Sequence, residues 1–596
     1  MRRTHSLNLL AALVLLLALL ASCGDQPEAA EPTPAPAAAQ PAEEAPAAQP
    51  AEEAPAAAQP PKGTDVAGEP VGGLTVEGVT TSGVFVADLG FRPATDGFGF
   101  ANYGADPNTV NLTPADVRRL FGDEVCASLE GDACLLTPAG EQWMQEQNQG
   151  MSGGHCEGMA VVSKLIYSGQ INAADFGAES TAELTRDGNE ALQREIAYWF
   201  TTQATLPARD AILNRLTPTE VVNTLIDVFN SDRKLEETYA IGFYKRDRSG
   251  GHAVTPFAIE DRGQGVFWIL IYDNNYPGQM RAIEVDTNAN TWVYDGSSNP
   301  EIAADTYEGD AESLTLELAP IPPRLQQQFC PFCAESATAR VAGGSAAPEQ
   351  LYNQIWFDGE GDLLITDGEG RRYGYADGQF VNEIPGAKSH AWRYGVAVWD
   401  NDNAPAFYMP VGIDFTMTID GSRLEEPSIA AVTMVGPGYT LEISDIMLDP
   451  GQVDTLDVSP DGSFLSYLTE TGESPDILVG IETPAADYTF YIKGMELEAG
   501  GAVNVTLDTA AQTVALDTID NTEDGSYLLA LSRIDDQGEQ IFGGDELVLE
   551  PDDVAYMDYA LWEGNQDGLP IDIDRGGDGE VDETFELLDI TDEIEE

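Results

Sequence analysis

Basic residues are scarce: 28 Lys plus Arg stand against 102 Asp plus Glu in 596 residues, a formal net charge of -74. With no basic face to neutralise phosphates, nucleic acid and anionic lipid head groups are poor partners for the folded chain. Cations and basic or neutral ligands fit such a surface better, and its acidity also confers solubility. Histidine and cysteine are rarer still, at four and six. Cys330-Pro331-Phe332-Cys333 has no second cysteine pair or nearby histidine to complete four zinc ligands, so it is read as a structural disulfide ahead of a redox pair.

The N-terminus reads as an export signal. Arg2 and Arg3 precede a nearly unbroken apolar run from Leu7 to Leu20, too short and one-sided for an ordinary membrane span. Leu20-Ala21-Ser22-Cys23 resembles the bacterial lipobox, which implies cleavage before Cys23 and a lipid anchor on it. Residues 1–23 are therefore expected to be signal and lipobox, and the chain extracytoplasmic and anchored to the bacterial cell membrane. Residues 24–72 are rich in Ala, Pro, Glu and Gln and repeat QPAEEAPAA at Gln40 to Ala48 and Gln49 to Ala57. Such a segment buries too little apolar surface to offset chain entropy, and its prolines keep it extended, so it is read as a disordered tether.

More than five hundred residues remain, too many for one core. From 75 to 340 helical and strand-like segments alternate. Thr113 with Asp116 and Thr137 with Glu141 offer helix starts, and Glu190 to Phe200 and Thr217 to Phe229 carry apolar residues at helical spacing. From about Thr238 strands take over in YAIGFY, HAVTPFAI, VFWILIYD and MRAIEVD. This is an α+β order. Beyond Leu351 the chain is strand-rich, with alternation such as Val503, Val505 and Leu507, and is expected to form one or two antiparallel β-sandwich domains. A break near Gly436 to Gly438 divides them into modules 350–435 and 436–560, leaving 561–596 as an acidic tail.

Cysteine arithmetic singles out one thiol. Cys23 belongs to the lipobox, Cys126 and Cys134 can close a short loop, and Cys330 and Cys333 form CPFC. An oxidising compartment makes both pairs credible disulfides. Cys156, in GGHCEGMA, is left over. It falls after Gly153 and Gly154 at the first turn of a helix continued by Met159, Val162 and Ile166, where the helix dipole favours a thiolate while Glu157 opposes it. His155 diverges in direction from its neighbour, and His390 lies in the later strand-rich region. His252 opens a strand. If that strand turns at Asp261 to Gln264, His252 faces Asp273; a three-residue loop brings it opposite Asn274 instead, and either can orient the ring. Pro256 then requires an edge or a bulge.

The order Cys, His, Asp or Asn, with the cysteine on a helix after glycines and GHAV…YDNNYPG downstream, resembles the papain-like cysteine peptidase superfamily, and within it bacterial relatives of bacteriocin-processing peptidases. The resemblance covers about Asn102 to Tyr294 and implies a papain-like domain, with Cys156 as nucleophile, His252 as general base and then acid, and Asp273 as orienter. It also implies an oxyanion donor, for which Gln149 stands nearest, with Asn148 and Gln147 beside it. The expected function is a surface-anchored cysteine hydrolase cleaving peptide bonds by thiolate acyl transfer, with a peptide or protein substrate and no metal in catalysis. A cell-wall amidase or transamidase shares the same residue order. The competing class is a non-catalytic adhesion or ligand-binding lipoprotein on a degenerate papain-like scaffold.

Two further motifs are weaker. Gly150 to Gly154 satisfies the serine-elbow pattern, but a polar helical stretch precedes it instead of a strand. Near the end, Asp572, Asp574, Asp578, Glu580, Asp582 and Glu583 crowd around glycines in a pattern that suits calcium, although the spacing departs from an EF-hand.

Overall fold

In the computed structural model the segments HAVTPFAI and VFWILIYD form the centre of the N-terminal sheet. The structure describes residues 75–591 apart from 77–78, 82, 132, 213–214, 247, 249, 298–302, 334–349, 391–404, 495, 518–520, 545 and 563–567. The lipobox with Cys23 and the tether lie outside the described residues.

Eight strands make this sheet: Val84–Asp88 (β1), Tyr239–Phe243 (β2), His252–Gly263 (β3), Val266–Tyr272 (β4), Met280–Asp286 (β5), Thr291–Gly296 (β6), Asp305–Asp310 (β7) and Leu316–Pro320 (β8). Their order is β7-β6-β5-β4-β3-β2-β8, and β1 pairs with the far half of β3. Strand β3 is long enough to have different neighbours along its length. Residues 252–254 pair with β2 and 255–263 with β4.

The β3–β4 hairpin turns later than expected. The tight turn is Gln264-Gly265, both at positive φ (57° and 85°), in place of a loop from Asp261 to Gln264. Consecutive positive φ values match a two-residue hairpin turn, whose twist suits the flanking strands. Bulges between Pro256 and Ala258 and between Asp261 and Gly263 then shift the register. The first absorbs the proline, which cannot donate to a ladder.

Helices Pro114–Phe121 (α1), Pro138–Gly150 (α2), Cys156–Ser168 (α3), Glu190–Thr201 (α4), Leu206–Asp210 (α5) and Pro218–Phe229 (α6) precede β2. Thr113 and Thr217 close capping boxes with Asp116 and Glu220, and Thr137 caps α2 through Gly140 N, so three starts follow from local hydrogen-bonding chemistry. Helix α6 buries Val221, Val222, Leu225 and Val228 against the sheet. Helices α3 and α4 approach closely at Gly158, where an added Cβ would stand 2.0 Å from Ile196 O.

The second region is a large antiparallel array of 21 strands. Starting from Tyr352–Asp358 (β9), one row extends outward through Ala406–Pro410 (β11) to Lys388–His390 (β10). The same row continues on the other side through Ser428–Gly436, Tyr439–Leu448, Asp476–Glu482, Asp487–Lys493, Gly525–Asp535 and Gly538–Gly543. A second row runs from Gln379–Asn382 and Arg372–Ala376 through Asp362–Asp367, Phe415–Asp420, Val453–Val458, Phe464–Leu468, Ala502–Asp508, Thr513–Asp517 and Val554–Asp558. Gly568–Asp574 and Glu583–Asp589 close the far end by pairing with each other across the rows. One apolar core runs between the rows from Ile355 to Leu587.

The ladder continues through the Gly436–Gly438 turn, and both arms of that hairpin pair onward. Residues 568–574 and 583–589, read as part of an acidic tail, are strands of this array. The chain is thus an α+β region followed by an antiparallel, sandwich-like β region. The two share a core of Trp143, Phe332, Tyr352, Trp356, Tyr408 and Val435. Disulfides Cys126–Cys134 and Cys330–Cys333 are both formed. The second is held to the β region by Gly438 N, which donates to Phe332 O at 2.8 Å.

Candidate functional site

Helix α3 begins at Cys156, as the glycine approach predicts. Gly154 has φ 152°, a value open to glycine, and from there the chain enters the helix through His155. Polar groups then fix α3 against β3. Thr255 Oγ1 donates to Ala160 O at 3.1 Å, and Lys164 Nζ donates to Pro256 O at 2.9 Å. Asn274 Nδ2 donates to Cys156 O at 3.0 Å and to Ala253 O at 2.9 Å. These bonds bring the start of α3 beside the start of β3, and so Cys156 beside His252.

The imidazole lies between sulfur and carboxylate. His252 Nε2 is 2.9 Å from Asp273 Oδ1, an oxygen that also accepts from Asn275 N at 2.9 Å. The other carboxylate oxygen accepts from Tyr294 OH at 2.5 Å. Burial disfavours a charged imidazole, but the charge of Asp273 and the neighbouring Cys156 outweigh it and raise the His252 pKa to about 10. Burial and the same carboxylate hold the Tyr294 phenol well above its ordinary value.

Several residues take other roles than those expected. Gln149 donates to Asp358 in β9 instead of facing Cys156, so it is not placed as an oxyanion donor. Asn274 holds two backbone carbonyls and leaves orientation of the ring to Asp273. Glu157 turns to Arg324, with Oε1 to Nη2 at 2.6 Å and both side chains fully buried, so its charge is matched there instead of opposing the thiol. His155 stacks on Tyr103 at 4.2 Å between ring centroids, its nitrogens meet Tyr103 O and Asn111 Oδ1, and burial pushes its pKa down to about 4. Asn275 and Tyr294 were missed by the sequence reading. Asn275 lies two residues beyond Asp273, within reach of a turn rule, whereas Tyr294 lies on β6 and carries no local signal.

The hydrolase expectation does not survive this geometry. Cys126, Cys134, Cys330 and Cys333 are consumed in disulfides, which leaves Cys156 as the cysteine outside a disulfide among the described residues. Cys156, His252 and Asp273 are each 0 % exposed. Acyl transfer requires a carbonyl carbon to reach the sulfur, and no described surface admits one. The cysteine peptidase reading is therefore overturned, and with it the amidase or transamidase reading that relies on the same thiol.

Metal-ligating groups also fall differently. The six C-terminal carboxylates do not gather. Asp574 accepts from the N–H groups of Asp578 and Gly579 at 3.0 and 2.7 Å, Asp578 from Glu580 N at 3.0 Å, and Asp582 from Arg575 N at 3.1 Å. Asp572 accepts from Thr584 Oγ1 at 2.8 Å, and Arg575 pairs with Glu583 and Asp553. These six are not among the groups of the described residues whose ligating atoms lie close enough together to hold one metal ion. A group that could hold a metal ion is Glu124, Cys330 and Cys333, whose ligating atoms lie within 4.8 Å of one another, although its sulfurs are joined to each other. No helix among the described residues is long and apolar enough to cross a membrane.

No protein-family model, curated protein or solved structure matches this chain.

Proposed function

We propose that the chain is a non-catalytic adhesion or ligand-binding lipoprotein, anchored through Cys23 and held off the bacterial membrane by the 24–72 tether. In this reading the α+β region is a degenerate papain-like scaffold in which Cys156, His252 and Asp273 serve as a buried polar core. The observation that carries it is the complete burial of all three side chains. The long, acidic, antiparallel β region supports it as the surface presented to partners.

The test is a pair of measurements on the full chain. Incubation with a peptide library at neutral pH is expected to leave every peptide intact, and labelled palmitate is expected to enter the chain and be lost in Cys23→Ala. Peptide cleavage that disappears in Cys156→Ala would overturn the non-catalytic reading, and absence of lipid from the wild-type chain would overturn the anchor.

A further inference from the structure

We infer that a cleft at one end of the β region is a binding site for a small primary alkylammonium ion, with Asp461 as its charge partner. The inference rests on the ligand-binding reading and narrows it to one ligand chemistry. Three turns form the cleft, which has a volume of about 330 Å³. Val411 and Gly412 follow β11, Pro437 lies in the hairpin turn between Gly436 and Tyr439, and Pro460 and Asp461 lie between the strands Val453–Val458 and Phe464–Leu468. Tyr439, 6 % exposed, serves as the floor, while Val411, Pro437 and Pro460 are half-buried. Gly412 and Asp461 are exposed, so the cleft has an entrance that Cys156 lacks. Its volume falls at the small end of ligand sites.

The carboxylate is held in place with one oxygen to spare. Ser459 Oγ, Ser463 Oγ and Ser463 N donate to Asp461 Oδ1 at 2.9, 2.6 and 3.1 Å, and Oδ2 takes none of these donors. Hydrogen bonding, from the Ser463 hydroxyl above all, keeps the carboxyl below its ordinary pKa, so it is ionised at neutral pH. The turn is also fastened to the floor. Gly462 has φ 70°, and a Cβ there would stand 2.4 Å from Tyr439 Cδ2, so the turn lies directly on the ring. The Tyr439 hydroxyl is fixed in its turn by donating to Asn353 Oδ1 at 2.8 Å. Charge and floor therefore form one unit that is ordered before a ligand arrives.

The lining selects the ligand. Valine and two prolines offer carbon surface, the Tyr439 hydroxyl is committed to Asn353, and none of the six lining residues is cationic. An anion would meet a carboxylate with no positive charge to offset it. A neutral hydrocarbon would displace water from Oδ2 without replacing its hydrogen bond. A primary alkylammonium supplies both halves, since its carbon chain covers Val411 and the prolines and its N–H donates to Oδ2 in a charge-assisted bond. The net charge of -74 attracts cations to the chain as a whole, but only the cleft joins a fixed carboxylate to an apolar wall of matching size.

The experiment is calorimetric titration of the full chain with n-pentylammonium, and separately with n-pentanol, at constant ionic strength. Saturable n-pentylammonium binding is expected, with n-pentanol at least about tenfold weaker. Asp461→Asn keeps Oδ1 as an acceptor for the serine donors and removes the charge, and is expected to weaken the ammonium at least about tenfold. Diffuse attraction to an acidic surface would barely change when one of 102 acidic residues is neutralised. Val411→Ala, which trims the wall and leaves the Asp461 turn intact, is expected to weaken binding by about fourfold. Absence of saturable n-pentylammonium binding, equal affinity for n-pentanol, or affinity unchanged by both Asp461→Asn and Val411→Ala would each overturn the site while leaving the peptide and palmitate results as they are. A chain that binds the ammonium at Asp461 yet cleaves peptides through Cys156 would refute the non-catalytic reading and uphold the site.

Discussion

Replacing Asp273 by Asn keeps the shape of the side chain and removes the charge that faces His252. In the native structure the carboxylate accepts three hydrogen bonds, from His252, Asn275 N and Tyr294, with no exposed surface. An amide can accept on one atom only, so its NH2 must face either a donor or the Tyr294 hydroxyl, which would then have to turn from donor to acceptor. Removing one partner of a buried charged pair costs about 3 to 5 kcal/mol. A second route gives a similar ceiling. His252 rises from 6.5 to about 10 in the fold, and at 1.36 kcal/mol per unit its proton contributes at most about 5 kcal/mol. Because the folded value is the higher one, this contribution is fully present below pH 6.5 and is lost as pH rises through about 10. Asp273→Asn is expected to lower the stability of the α+β region by about 3 to 5 kcal/mol at pH 6 and to flatten that alkaline decline. Denaturant unfolding followed by hydrogen exchange of the β3 amides reads both. A loss under about 1 kcal/mol at pH 6, or an unchanged pH slope, would refute the buried-charge argument.

Other consequences follow from the same physics. Asp487 is buried opposite Glu482, and desolvation with that like charge raises its pKa to about 8. Its folded value lies above the ordinary 3.8, so its stabilising contribution is present at pH below 3.8 and lost as pH rises through about 8. Asp487→Asn should accordingly stabilise the β region by on the order of 1 to 3 kcal/mol at pH 8, and much less at pH 4, in thermal melts at both values. Glu157→Gln strands Arg324 in the interior and should cost about 3 to 5 kcal/mol by chemical denaturation, while the double change Glu157→Met with Arg324→Leu should recover much of the loss. Gly158→Ala forces α3 and α4 apart at Ile196 O and is expected to destabilise by at least about 2 kcal/mol, read as a lower melting temperature; a neutral result would mean that the helices can separate freely.

The parts of the fold that could be read from the sequence are those written in local chemistry. Thr113, Thr137 and Thr217 announce helix starts because a cap hydrogen bond reaches three residues at most. Apolar alternation in Val503, Val505 and Leu507 announces a half-buried strand for the same reason, and all three are buried. The β3–β4 register was less accessible. Two bulges, only one of them flagged by Pro256, move the turn to Gln264-Gly265. The His252–Asp273 contact forms nonetheless, because the strands diverge after Thr255–Tyr272 and the Asp273 side chain reaches back across the gap. Long-range partners were out of reach altogether. Nothing near Gln149 in sequence points to Asp358, and nothing near Glu157 points to Arg324, because those pairings depend on how separate elements stack. The decisive property, closure of the surface over Cys156, belongs to the assembled tertiary structure and has no local signature.

The most direct measurement is the reactivity of the Cys156 thiol in the folded chain. In full-length Cys23→Ser, with both disulfides left oxidised, a small maleimide is expected to leave the native protein unlabelled and to modify Cys156 stoichiometrically once denaturant is added. Rapid labelling of Cys156 in the native chain, slowed by His252→Ala, would show an accessible and activated sulfur and contradict the non-catalytic account.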